Sequence, residues 1–197
     1  MGEPVDVTRA KLLDAAHDLL VERRGTEPSV AELCARAGVN VAMVSYCFGG
    51  KRQLLDAVLD RTVVGVVAQL DALEALGLTP VETLRRHVAG VIQNYLHYPY
   101  AVALGERLGD PDGRLAAAFA QPLLAFHTRL LERGAATGDF RAGVDPALFF
   151  ATLVGMCEFF FSARTWMAAA TGSDVDATLV ARFTTHCEAL VLTGLGT

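Results

Sequence analysis

Residues 29–48 constrain the fold of this chain more than any other segment, because they predict two short helices joined by a tight turn. Ser29 begins the first helix, and Glu32, three residues later, completes a capping-box pattern. The turn is Ala37-Gly38-Val39, whose central glycine accommodates the positive φ angle of a tight turn. Asn40 is a natural cap for the second helix. This arrangement is typical of a helix-turn-helix motif, although an ordinary helical hairpin has the same outline.

The rest of the chain also predicts helices and no strands. Apolar residues recur at three- and four-residue spacing, whereas sustained alternation and hairpin turns between β-branched runs are missing. We expect further helices over residues 8–23, 51–75, 80–96, 100–108, 112–135, 145–171 and 174–193. Because Gly49-Gly50 ends the motif, we predict an all-α protein with an N-terminal three-helix domain over 1–50 and a C-terminal helical bundle over 51–197. The helix from Lys51 would link the two.

The charge balance excludes binding of nucleic acid through bulk positive charge. The 197 residues carry 17 Lys and Arg against 22 Asp and Glu, a net charge of −5, and residues 1–60 alone carry a net charge of −2. Any contact with nucleic acid must therefore be local. The cations available for it are Arg9, Lys11, Arg36, Lys51 and Arg52. The alternative for Lys51 and Arg52 is a solvated surface.

The sequence predicts no catalytic centre, no metal site and no cofactor. Its five histidines lack a carboxylate or nucleophile at a telling spacing, and its four cysteines form no C-x-x-C pair. The N-terminus lacks the basic region and apolar core of a signal peptide, and the apolar stretch over 146–157 is too short to span a membrane. We therefore expect a cytoplasmic protein that is not an enzyme and has no membrane partner.

The residues around the motif resemble the TetR family of transcriptional regulators. The matching segments are Thr8–Ala16, Ser29–Val39 and Tyr46–Lys51, in the family's order and spacing. The resemblance implies an all-α homodimer with an N-terminal DNA-binding domain and a C-terminal domain for ligand binding and dimerisation. Most such proteins are repressors that a small molecule releases from DNA. Residues 38–42 and 138–146 look like the subgroup with a CecR-type C-terminal domain.

The resemblance makes the second helix of the motif the recognition helix, with two departures from the family pattern. The family usually has a tyrosine where this chain has Ser45 and a histidine where it has Cys47, and both side chains serve largely to contact phosphates. Ser45 can donate one short hydrogen bond, and Tyr46 supplies a phenol at the next position. We expect phosphate anchoring to depend more on Lys51, on Ser29 and on backbone N–H groups at helix starts. Cys47 has two interpretations, a redox switch or a small packing residue.

Base reading is predicted at the start of the recognition helix. Asn40 carries an amide that can hydrogen-bond a base edge, but its side chain is also the predicted helix cap. Val41, Ala42 and Met43 can contact thymine methyl groups. Met43 can alternatively pack against the first helix of the chain. We expect a near-palindromic operator that presents thymines to these residues, because two recognition helices related by a two-fold axis meet successive major grooves about 34–36 Å apart.

The segment from Asp145 is apolar on nearly every side, so we expect its own chain to cover one face and a second subunit the other. One stripe at helical spacing consists of Leu148, Thr152, Gly155, Phe159 and Trp166. The predicted dimer interface uses the second stripe and part of the last helix: Phe149, Leu153, Met156, Phe160 and Met167 with Leu179, Phe183, Cys187 and Leu190. In TetR-like proteins the last two long helices pair in this way. The alternative is a core helix of a single chain.

A few polar side chains in apolar surroundings predict a ligand-binding pocket. The candidates are Tyr95, Tyr98, His127, Glu158 and Trp166. Apolar walls with few polar groups suit a small apolar or aromatic ligand, although each residue alone can be a satisfied core group.

Two functions remain open on the sequence alone. The first is a TetR-like repressor that binds a palindromic operator as a dimer and is released by a small organic ligand. The second is a helical small-molecule-binding protein or sensor without specific DNA binding. The net-acidic N-terminal segment favours the sensor, and the intact spacing of residues 29–51 favours the DNA-binding regulator more strongly.

Overall fold

The computed structural model describes residues 4–196, and all regular structure within them is helical. The ten α-helices of this range are α1 (Val5–Glu22), α2 (Val30–Ala37), α3 (Ala42–Phe48), α4 (Lys51–Ala75), α5 (Pro80–His97), α6 (Ala101–Leu108), α7 (Arg114–Thr137), α8 (Pro146–Ser162), α9 (Arg164–Thr171) and α10 (Ala177–Leu195). The all-α class predicted from the sequence is confirmed.

The expectation of one helix over 145–171 is wrong, because α8 and α9 meet at an angle of 83°. Ala163, between them, has φ −91° and ψ 39°, outside the helical region. Arg164 then donates a hydrogen bond to the carbonyl of Val175 in the loop before α10. Among the described helices, none is by itself long and apolar enough to cross a membrane. Only α8 and α9 taken together, with the bend between them, have the length and apolar composition of a membrane span.

The chain forms two compact units. The first contains the residues up to Gly65 together with His97–Ala116, and the second contains Val66–Leu96 and the chain from Ala117 onward. Helices α4 and α7 therefore contribute residues to both units.

A core of leucine and valine side chains holds the helices of the first unit together. Its fully buried members include Leu12 and Leu20 of α1, Leu33 of α2, Val44 of α3 and Leu54 of α4. The segment that leads into α6 closes the same core with Tyr100, whose hydroxyl is 2.8 Å from Nδ1 of His17 and 3.3 Å from the hydroxyl of Thr62. The short helices α2 and α3 are thus attached by their inward faces.

The second unit is built around α5, α7, α8 and α10. Its buried core includes Ile92, Phe126, Leu153, Cys157 and Cys187. The backbone of α7 comes close to the following loop at Gly134, where the buried ring of Phe140 occupies the space that a side chain would need. Glycine is required there by packing.

Replacing Gly134 with alanine is expected to destabilise the protein by about 1–3 kcal/mol. The new Cβ would lie 1.9 Å from Cδ2 of Phe140, so the ring would have to move. The control is Gly90→Ala in α5, where a Cβ meets nothing within 4 Å. Since alanine favours a helix by up to about 1 kcal/mol over glycine, the control should be neutral or stabilising. Thermal unfolding of both variants checks the packing, which equal melting temperatures would contradict.

Candidate functional site

The start of α2 carries the capping box that the sequence predicted. The hydroxyl of Ser29 accepts a hydrogen bond from the N–H of Glu32 (3.3 Å), and the Glu32 carboxylate accepts from the N–H of Ser29 (2.8 Å). Arg23 donates to the other carboxylate oxygen at 2.7 Å. The Arg23 guanidinium, followed by the Ser29 donors, lowers the pKa of Glu32 to about 2. Because the Ser29 hydroxyl also donates to Glu32 (2.7 Å), a phosphate contact through it would require that bond to break.

The turn between α2 and α3 fixes the direction in which α3 leaves the unit. Gly38 has φ 68°, in the left-handed region where glycine is favoured, and the N–H of Val39 donates to the carbonyl of Cys34 at 3.0 Å. The side-chain oxygen of Asn40 accepts a hydrogen bond from the N–H of Ala42 at 2.9 Å. The N-cap residue of α3 is Val41 and not Asn40 as predicted, but the Asn40 side chain is engaged by the first N–H of the helix.

The outer face of α3 is exposed and uncharged. Val41 is 55% exposed and Tyr46 is 71% exposed, and Ala42 and Ser45 are exposed beside them. Met43 is only partly exposed, because its side chain packs against the core of the first unit. This placement favours the packing alternative for Met43 over direct base contact.

Arg9 of α1 positions the last turn of α3, a role that the sequence analysis missed. Its guanidinium donates a hydrogen bond to the carbonyl of Cys47 and lies over the ring of Phe48, 4.1 Å from the ring centre. A cation that binds the last carbonyls of a helix also interacts favourably with the helix dipole. No local motif reveals this contact, since 38 residues separate Arg9 from Cys47.

Other cations near the motif are engaged by acceptors of the protein itself. Arg36 pairs with Glu22 at 2.7 Å, and Lys51, the first residue of α4, pairs with Glu27 at 2.9 Å. Arg52 donates to the carbonyl of Leu108 at the end of α6. Each of these three side chains would therefore have to exchange its present acceptor in order to contact a phosphate.

Two family models cover most of the chain. Residues 12–58 match the model described as "Bacterial regulatory proteins, tetR family", and residues 77–197 match "Tetracyclin repressor-like, C-terminal domain". The chain belongs to the TetR family. Members of this family are DNA-binding transcriptional regulators and not enzymes. The expected likeness to the CecR-type subgroup is not confirmed, and the division into residues 1–50 and 51–197 stays a prediction.

Solved structures show the same fold. A TetR transcriptional regulator from Streptomyces coelicolor is 24% identical, with a TM-score of 0.64 over 95% of this chain and 98% of that one. A Rhodococcus protein is 21% identical (TM-score 0.70, 100% and 97%), and the Bacillus subtilis regulator FadR in complex with stearoyl-CoA is 18% identical (TM-score 0.68, 94% and 98%). No curated protein sequence matches this TetR-family chain significantly.

In the second unit of this TetR-family protein, Tyr95 of α5 faces α8. Its hydroxyl donates to the carbonyl of Val154 at 3.4 Å, and its ring stacks on Phe161 with ring centres 5.5 Å apart. Burial, and then the nearby Glu158 carboxylate, raise the pKa of the Tyr95 phenol. The structure therefore brings together two of the predicted ligand-binding residues, Tyr95 and Glu158.

His127, on α7, lies apart from the Tyr95–Glu158 pair and forms a buried pair with His87 of α5. The two Nε2 atoms are 2.8 Å apart, and Nδ1 of His127 has no hydrogen-bond partner within residues 4–196. Burial lowers the pKa of His127 to about 4, and burial together with the His127 charge lowers that of His87 to about 3, so both are neutral at pH 7. His87 was missed because 40 residues separate it from His127.

The other two predicted ligand-binding residues have different surroundings. Tyr98 belongs to the first unit, where its ring centre is 4.6 Å from that of His97 and 5.6 Å from that of His17. Trp166, on α9, is 76% exposed. Within residues 4–196 no group of three or more His, Cys, Asp or Glu side chains is arranged to hold a metal ion.

The two apolar stripes of α8 and α9 face the opposite way to the prediction: the stripe predicted to contact a second subunit is largely buried within its own subunit, and the other stripe is exposed. Five of the predicted interface side chains are buried in the core of their own subunit: Phe149, Leu153, Phe160, Leu179 and Cys187. Three more are partly buried against that core: Met156, Met167 and Phe183. The stripe that faces solvent is the other one, with Leu148 67% and Phe159 57% exposed, and Leu190 of α10 is exposed as well. This corrects the choice of stripe, because helical spacing separates two faces but does not tell which one the subunit covers.

Proposed function

We propose that this protein is a repressor that binds a palindromic DNA operator as a homodimer in the cytoplasm and leaves it when a small organic ligand binds. The observation that carries the proposal is the exposed outer face of α3, where Val41 and Tyr46 stand in solvent at the start and middle of a recognition helix. Exposed apolar and aromatic side chains that are grouped together mark an interaction site. Thymine methyl groups suit Val41, and phosphates suit the phenol of Tyr46.

Selection of bound sequences from random duplex DNA should yield a near-palindrome with half-sites one helical turn apart. Lys51→Ala is expected to weaken binding to all sequences alike, since Lys51 would contact phosphate. Val41→Ala should change the preferred base in each half-site, whereas Val64→Ala, the same change at an exposed valine of α4, should not. An unenriched pool would contradict this proposal and favour the sensor without specific DNA binding.

We further propose that the solvent-facing stripe of α8, with Leu148 and Phe159, and Leu190 of α10 form the dimer interface. Large grouped apolar side chains on the surface of one subunit are stabilised when a second subunit covers them. The buried stripe is unsuited to this role. Phe160 stacks on Phe183 with ring centres 3.8 Å apart, so substitutions there would disrupt the subunit rather than the assembly.

Phe159→Glu is expected to convert the dimer to a folded monomer. The carboxylate would be solvated in the monomer but buried without a partner in the dimer, at a cost of several kcal/mol. Val64→Glu places the same charge on an exposed apolar position of the first unit and should leave the dimer intact. Light scattering measures the mass of each variant. An unmodified protein that is monomeric, or a dimeric Phe159→Glu variant, would contradict the interface.

The ligand site is proposed along α5 and α8 of the second unit. Tyr95, which lies beside Glu158 of α8, and His87, the partner of His127, are eight residues apart on α5, which corresponds to about 12 Å. Phe149 and Phe150 of α8 pack beside His127, and Phe161 beside Tyr95. An apolar ligand with one polar group at each end matches this spacing. Nδ1 of His127, which has no hydrogen-bond partner in the described part of the chain, would bind one of these polar groups.

We propose that α4 transmits ligand binding, since it is one continuous helix from Lys51 to Ala75 and contributes to both units. A ligand changes DNA binding only if it favours one conformation of the dimer over another. A change in the direction of α4 would alter the separation of the two recognition helices. Because the groove spacing of the duplex requires one particular separation, the altered dimer would bind DNA less well.

Glu158→Gln is expected to keep operator binding while reducing the response to ligand, because it removes the charge next to Tyr95. Glu132→Gln, at an exposed glutamate of α7, is the matched control and should respond as the unmodified protein does. The measurement is release of the selected operator by acyl-chain and aromatic compounds, beginning with stearoyl-CoA, which occupies the Bacillus subtilis neighbour. If Glu158→Gln releases the operator at the unmodified protein's ligand concentration, the site lies elsewhere.

A further inference from the structure

At the start of α4, Lys51 meets the loop between α1 and α2. Nζ of Lys51 lies 2.9 Å from one carboxylate oxygen of Glu27, and Nε of Arg107, on α6, lies 3.5 Å from the other. The Arg107 guanidinium also donates to the carbonyl of Gly25 at 2.7 Å. All four residues belong to the first unit. One carboxylate is therefore shared between a cation of the DNA-binding helices and a cation of α6.

We propose that Glu27 is a brake on DNA binding, which holds Lys51 in the free protein and competes with the DNA phosphate for it. This inference rests on the proposed role of Lys51 as a phosphate contact. When Lys51 turns to a phosphate, Glu27 loses one of its two cations and keeps Arg107. Arg107 thereby sets the strength of the brake. Without Arg107, the Glu27 carboxylate would be left without a paired cation when Lys51 leaves, so separating Lys51 from Glu27 would cost more free energy.

The surroundings of the pair fit an exchange of partners. The side chains of Lys51 and Glu27 are each about a third exposed, so a phosphate can approach the ammonium without a rearrangement of the core. The Lys51 ammonium, ahead of Arg107, lowers the pKa of the Glu27 carboxyl, which keeps the carboxylate charged at pH 7. A pair this exposed is weak and salt-sensitive, which suits a contact that must open in each binding event.

The brake predicts opposite effects for its two ends. Glu27→Gln keeps the size of the side chain and removes its charge, so DNA binding should become about two- to tenfold tighter for a dimer with two such pairs. Arg107→Gln should weaken DNA binding by a similar factor, because Lys51 becomes the remaining cation beside Glu27. In the Glu27→Gln background the Arg107 substitution should have no further effect, whereas simple loss of a positive charge would weaken binding in both backgrounds.

The test is fluorescence anisotropy of the full-length protein with a labelled duplex of mixed sequence at about 50 mM salt, where phosphate contacts dominate. Weaker binding by Lys51→Ala than by the unmodified protein supports the phosphate contact, and equal binding by the two would refute that role of Lys51. Failure of the unmodified protein to bind the duplex would refute the proposed function itself. Given that contact, Glu27→Gln should bind DNA more tightly than the unmodified protein does. The double variant Glu27→Gln with Lys51→Ala should bind with the same affinity as Lys51→Ala alone. The control Glu22→Gln removes the same charge from the end of α1, beside Arg36, and should give a smaller change.

The proposal is overturned if Glu27→Gln binds like the unmodified protein. It is equally overturned if the gain in affinity persists in the Lys51→Ala background or is matched by Glu22→Gln, because the effect would then come from overall charge and not from the pair.

Discussion

The position of α3 depends on the burial of a few side chains against α1. Helices of eight and seven residues, such as α2 and α3, are not stable in water on their own, because too few hydrogen bonds offset the ordering of the backbone. Leu33 and Val44 supply the missing stability because they are buried in the same core as Leu12 and Leu20 of α1. Once these inward faces are fixed, the outer face of α3, with Val41 and Tyr46, is left exposed in the described part of the first unit.

Charge sets the second constraint on how this unit can act. Helix α3 carries no charged side chain, and several cations around it already bind acceptors of the protein: Arg9 binds the end of α3, Arg36 binds Glu22 and Lys51 binds Glu27. Contact of these cations with DNA phosphates would therefore exchange an acceptor within the protein for one on the DNA. Under the proposed function, the apolar contacts of α3 provide sequence preference, and this exchange of partners contributes to affinity.

Local signals in the sequence were enough to predict the helix-turn-helix motif, whereas contacts between residues far apart in the sequence could not be predicted. Gly38 and Asn40 act through neighbouring backbone atoms, so their roles follow from residue type and spacing. The break at Ala163 has no such signal, since neither glycine nor proline marks it. The pairing of His87 with His127 joins residues 40 apart. The two apolar stripes of α8 were recognised, but which of them the subunit buries depends on the packing of helices far along the chain.

Chemical protection of the selected operator by dimethyl sulfate tests the central claim most directly, because this reagent methylates guanine N7 in the major groove and adenine N3 in the minor groove. If two copies of α3 occupy successive major grooves, bound protein should protect guanine N7 in two clusters about one helical turn apart on one face of the duplex. Protection confined to adenine N3, or a single protected cluster, would contradict the placement of α3 as the recognition helix of a dimer.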